Sequence, residues 1–102
     1  METRAKQEHR PAGPDGIVRS PEVESELNRD IAAAFATPPG RKLMDYLRSI
    51  TLNRVLGPEA TDAHLRHHEG MRTLVAILEV RTRLGADVMR SMTAKPEEGK
   101  SN

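Results

Sequence analysis

The chain has 102 residues, room for one small domain. Leu, Ile, Val and Phe together number 20, near the level at which chains stop folding, but 16 basic against 15 acidic residues leave a net charge of +1, without the self-repulsion that keeps disordered chains open. No cysteine is present, which excludes disulfide scaffolds, thiolate metal sites and thiol nucleophiles, and no apolar run approaches the roughly 20 residues of a bilayer-crossing helix.

Residues 1–19 carry Pro11, Gly13, Pro14 and Gly16 among polar and charged side chains, and read as a flexible arm without the apolar stretch of a signal peptide. Ser20-Pro21-Glu22 starts a helix: a hydroxyl cap, proline in the first turn, then acids beside the positive end of the helix dipole. Val23, Leu27, Ile31, Ala34 and Phe35 fall on one narrow face of it. Glu22, Glu24, Glu26 and Asp30 against Arg29 leave its outer side acidic.

Thr37-Pro38-Pro39-Gly40 ends that helix and starts the next, with Thr37 as cap. Leu43, Leu47 and Ile50 form a short stripe there, with Met44 and Tyr46 flanking it, and Arg41, Lys42, Arg48 and Arg54 make this segment basic. Two consecutive helices of opposite charge joined by a tight turn suit an antiparallel hairpin. After a Gly57-Pro58 loop, Thr61 or Asp62 caps a third, longest helix, expected over about 63–89. Leu65, Met71, Leu74, Val75 and Leu78 make one stripe on it and Ile77, Val80, Leu84 and Val88 another, so it is apolar over most of its girth near 74–78. Two short helices cannot cover all of that, and self-association or a partner is expected. Residues 91–102, broken by Pro96, read as a flexible tail. The expected architecture is therefore all-α, a short helical hairpin plus one long C-terminal helix over residues 20–90, between a disordered arm and tail.

One cluster invites a chemical reading. His64 and His68, four apart, put both rings on one helix face, a spacing that can hold a divalent metal. The residue after His64 is Leu65, where the metalloprotease pattern needs Glu, and the plainer reading is a solvated helix start with no cofactor. Gly70 inside the third helix costs about 1 kcal/mol relative to alanine, which suggests close approach of another segment. Arg72 beside it is placed to pair with Glu26 or Asp30 of the first helix. Arg81, Arg83 and Arg90 alternate with Glu79 and Asp87 and read as a solvated or partner-facing surface. There is no phosphate loop, nucleophile elbow or carboxylate pair in an apolar pocket, so no enzyme is expected.

The run Phe35, Ala36, Thr37, Pro38, Pro39, Gly40, Arg41, Lys42, Leu43, Met44, Asp45, Tyr46, Leu47, followed by Glu69, Gly70, Met71, Arg72 on a helix, resembles a family of small tailed-bacteriophage proteins typified by a short structural protein of a Bordetella podovirus. The resemblance covers about residues 31–78. It implies a non-enzymatic role in the virion or its assembly, in the host cytoplasm and then the particle, with other phage structural proteins or a second copy as partner. In that setting Phe35, Gly40, Leu43 and Leu47 are the hairpin core. Glu69, Gly70 and Arg72 are a packing or docking point, continued by Leu74 and Leu78. The alternative is a small nucleic-acid-binding or regulatory protein using the Arg41 to Arg54 segment.

Overall fold

A computed structural model describes residues 11–100, with side chains through Met92. The parts of the arm and tail expectations that concern residues 1–10 and 101–102 lie outside the described residues. Within them the chain is all-α: α1 (Pro21–Ala36), α2 (Pro38–Ser49) and α3 (Asp62–Lys100), with no strand.

Each helix begins where a hydroxyl can satisfy an otherwise orphan backbone N–H. Val23 N–H donates to Ser20 Oγ at 3.2 Å, Gly40 N–H to Thr37 Oγ1 at 3.0 Å and His64 N–H to Thr61 Oγ1 at 3.1 Å. Thr37 does double duty, because its own hydroxyl donates to the Ala34 carbonyl at 3.0 Å. It is the single residue between α1 and α2, and Pro38 begins the next helix without needing an amide partner. Gly40 is required at this turn, since a Cβ there would collide with the Ala34 carbonyl oxygen and lie 2.8 Å from Phe35 Cα.

Cross-helix contacts give the directions. Glu24 faces Arg81, Asn28 faces Arg81 and Gly85, and Ala32 faces Gly85, so α1 runs parallel to α3. Arg48 pairs with Glu79 while Leu52, just beyond α2, meets Arg72, so α2 runs antiparallel to α3. The topology is up, down, up. The main seam lies between α1 and α3, and it closes tightly because Gly85 has no side chain. A Cβ at that position would collide with the Asn28 carbonyl oxygen and stand 2.6 Å from its carbon and 2.8 Å from Ala32 Cβ.

The buried apolar core is thin: Ala32, Met44 and Val75. Buried beside them are Asn28, Thr51, His68 and Arg81. The 39 residues of α3 span about 58 Å, against about 24 Å for α1, so α3 overhangs its cover. Leu65, Leu74 and Met92 are exposed. The helix also runs past the end expected at Met89, to Lys100. No glycine or proline stands between Asp87 and Ala94 to stop it, and at Pro96 the backbone stays helical although proline supplies no N–H to the ladder.

Residues 11–19, assigned from composition to a flexible arm, fold back on the helices. Gly13 N–H donates to the Ile17 carbonyl and Gly16 N–H to the Gly13 carbonyl, both at 2.9 Å, with Gly16 at φ 82°. That turn presents Asp15 to Arg19 and Arg81, a contact that no local sequence pattern announces.

Candidate interaction surface

At the arm, α1 and α3 junction, four charges close into a ring. Arg81 Nη1 donates to Glu24 Oε2 at 2.7 Å and to Asn28 Oδ1 at 2.8 Å, while its Nη2 lies 3.3 Å from Asp15 Oδ2 as an ion pair without hydrogen-bond geometry. Arg19 completes the ring through Asp15 Oδ2 at 2.9 Å and Glu24 Oε1 at 3.3 Å. Two guanidiniums alternate with two carboxylates, so the cluster is neutral, which lowers the cost of enclosing the Arg81 side chain, itself only 3% exposed. The surface role expected for Arg81 does not hold, because that reading compared it only with neighbours along α3 and its partners lie in α1 and the arm.

Hydrogen bonds from the Arg19 guanidinium first, and from Ile17 N–H next, hold the Asp15 carboxyl far below the usual carboxylate range; the same pairing raises Arg19. A carboxyl depressed in the folded state contributes stability above its unfolded pKa of about 3.9 and loses it as pH falls toward the folded value. Melting temperature should therefore fall on acidification below about pH 4, and Asp15→Asn should flatten that slope in thermal denaturation followed at several pH values. An unchanged slope would contradict the pairing.

The residues singled out by the sequence fall in two grooves and on open surface. Phe35, half-buried, lines an open cleft of about 580 Å³ with Met44, Arg41, Arg48, Glu79 and Arg83. Leu47 and Leu78 are half-buried, whereas Leu43 is 49% and Leu74 59% exposed; Val75 beside Leu74 is buried, so Leu74 lies on the outer face of α3. Gly70 makes no close approach: a Cβ there would meet nothing within 4 Å. The intimate glycine of α3 is Gly85 instead. Gly70→Ala is accordingly expected to stabilise the chain by up to about 1 kcal/mol, read as a raised urea midpoint; a lowered midpoint would reveal an unseen contact.

Arg72 turns away from Glu26 and Asp30. Its Nη1 donates to the Leu52 carbonyl at 3.4 Å and its Nε lies 3.5 Å from Oε1 of Glu69, which is otherwise exposed. The arginine that reaches α1 is Arg81. His64 is exposed, while the His68 ring is buried against the α2–α3 connection with Nε2 donating to the Arg54 carbonyl at 3.3 Å. The pair does not share one environment, and among the described residues no group of three or more His, Cys, Asp or Glu could hold a metal.

Around His68 lies the second groove, about 490 Å³, lined by Val55, Leu56, Leu65, Arg54, Arg66 and Arg72 with Glu69 at its edge. Val55 is 90% exposed and Leu65 45%. His68 is 94% enclosed by the same measure, and its Nδ1 has no hydrogen-bond partner. Exposed apolar side chains, three arginines and an unpartnered buried ring nitrogen thus meet in one groove.

The family model for Bbp19-like phage proteins matches residues 31–96, most of the chain. The chain belongs to that family. The match takes in the end of α1, all of α2, the groove around His68 and nearly all of α3, whereas Asp15, Arg19, Glu24 and Asn28 of the charge ring precede it. No curated protein and no solved structure matches the chain. None of the helices is long and apolar enough to cross a membrane among the described residues.

Proposed function

We propose that this phage protein is a non-enzymatic component of the virion or of its assembly that works by protein–protein contact through the groove around His68. The observation that carries the reading is the combination of Val55, almost fully exposed, with half-exposed Leu65 and the unpartnered Nδ1 of enclosed His68. Apolar side chains in such a setting gain from being covered, and the arginines at the rim favour an acidic partner surface. The thin core and overhanging α3 fit a chain that draws part of its stability from what it docks on.

A photo-crosslinker placed at Val55, followed by mass spectrometry of particles and assembly intermediates, tests this directly. Crosslinks to a protein are expected, and Val55→Asp should abolish incorporation without loss of helicity, since the side chain is already in solvent. Absence of the chain from every particle and intermediate, with no crosslinked protein, overturns the proposal. The nucleic-acid alternative draws less support: on α2, Arg48 is neutralised by Glu79 and the Arg41 guanidinium is held to the Ala36 carbonyl at 2.6 Å. A salt-sensitive shift of duplex DNA would revive it.

A further inference from the structure

The groove around His68 has a counterpart on the same molecule. Along the outer side of α1, Glu22, Glu26 and Asp30 follow one another four residues apart, all exposed, and none forms an ion pair among the described residues. Val23, 51% exposed, lies beside this row. On the groove, Arg54 and Arg66 are likewise exposed and without an ion pair. The acidic row spans about 12 Å and the stretch of α3 from Arg66 to Arg72 about 9 Å, at 1.5 Å per helical residue. Size and charge therefore match: three free carboxylates with an apolar neighbour against arginines with exposed Val55 and Leu65 between them.

A chain cannot use this match on itself. Glu24 is fixed to Arg81, whereas the groove lies at residues 65–72 of α3, roughly 14–24 Å further down the helix. We infer that the acidic face of α1 docks into the His68 groove of a second copy of this chain, head to tail. The two contact patches are different surfaces, so a bound pair leaves one groove and one acidic face free. Such heterologous contacts propagate, closing into a ring or continuing as a filament according to the rotation per step. Val55 and Leu65 are covered by Val23 and its neighbours, the rim arginines meet Glu22, Glu26 and Asp30, and the space beside His68 Nδ1 is closed off by the incoming helix. The inference rests on reading that groove as a protein-docking surface, and narrows its occupant to this chain.

Sedimentation velocity of the full chain at rising concentration and at low and high salt tests it. The wild type should form species that grow with concentration and dissociate with salt, because the rim pairs are solvent-screened. Glu22→Lys, Glu26→Lys, Asp30→Lys in one chain, and Arg54→Glu, Arg66→Glu in another, should each raise the apparent Kd by on the order of tenfold or more. All five positions are exposed, and unchanged helicity by circular dichroism confirms folding. Mixing the two variants makes both kinds of contact complementary again, so the mixture should assemble beyond two copies. The chain carrying all five substitutions should do so alone. A wild type that stays monomeric throughout, variants that associate like the wild type, or a mixture that fails to pass two copies would overturn the inference. The Val55 crosslink separates the two readings: a monomeric chain crosslinked to a different protein refutes self-docking and leaves the groove as a docking surface, whereas no crosslink to any protein refutes both.

Discussion

Replacing Arg81 by methionine is expected to cost about 3–5 kcal/mol, the range for breaking a buried ion pair from one side. The variant keeps much of the apolar stem that packs in the α1–α3 seam and removes the guanidinium. Asn28 then loses the donor to its buried Oδ1, while Glu24 and Asp15 lose the charge that offsets their partial burial. Both carboxylates keep some access to water, which places the effect toward the lower end. Set against the total of about 5–15 kcal/mol usual for a small domain, even that leaves little folded protein at elevated temperature. Urea denaturation followed by circular dichroism measures it. Glu24→Leu added to Arg81→Met should recover part of the loss, because the pair is then replaced by packing instead of being left half-made. A single variant as stable as wild type would show that the ring is spectator to the fold.

Gly85→Ala should destabilise by about 1–3 kcal/mol, the cost of forcing a methyl into a closed seam, although alanine is the better helix former. What obstructs the methyl is the Asn28 backbone, carbonyl oxygen and carbon alike, and the backbone cannot rotate aside as a side-chain tip could. α1 must therefore move off α3, stretching the Arg81 bonds to Glu24 and Asn28 with it. Thermal melts of Gly85→Ala and Gly70→Ala form an internal comparison: the same chemical change in the same helix, with opposite signs expected. Equal shifts would contradict the seam geometry.

The contrast between these two glycines shows what was legible in the sequence. Features governed by a few neighbouring residues were readable: the caps at Ser20, Thr37 and Thr61, the Pro-containing turn at Thr37, and the presence of three helices with the last the longest. Which glycine is close to another segment depends on the position of α1 in space, and the pattern around Gly70 gave no information about that. The same holds for the buried face of α1. Apolar periodicity pointed to Val23, Leu27 and Ile31, yet Val23 is half in solvent and the tightest face is the Glu24, Asn28, Ala32 row. Counting apolar residues favours large side chains, whereas a close helix crossing selects small ones and admits polar ones when a partner such as Arg81 reaches them.

The candidate surface was legible in part. Excess apolar girth on α3 was evident from its two stripes, and it survives in the exposure of Leu65 and Leu74. The groove itself needed Val55 from the α2–α3 connection, a residue in no periodic pattern, and the His68 ring turned inward to the Arg54 carbonyl. A histidine spaced for a metal was in fact a histidine anchoring a loop, and only the direction of its ring tells the two apart.

The α1–α3 seam also constrains the order in which the molecule can form. The contacts that fix α1 join residues 53 and 57 positions apart, and they bypass α2 almost entirely. Three-helix chains commonly assemble from neighbouring pairs, which makes them quick; here the decisive closure waits for a distant segment and carries the loop entropy of everything between. During synthesis α1 cannot close onto α3 until Arg81 and Gly85 have emerged, whereas the α2 partners Arg72 and Glu79 come earlier. A fragment ending at residue 80 would contain two complete helices and about half of the third, and still lack the seam.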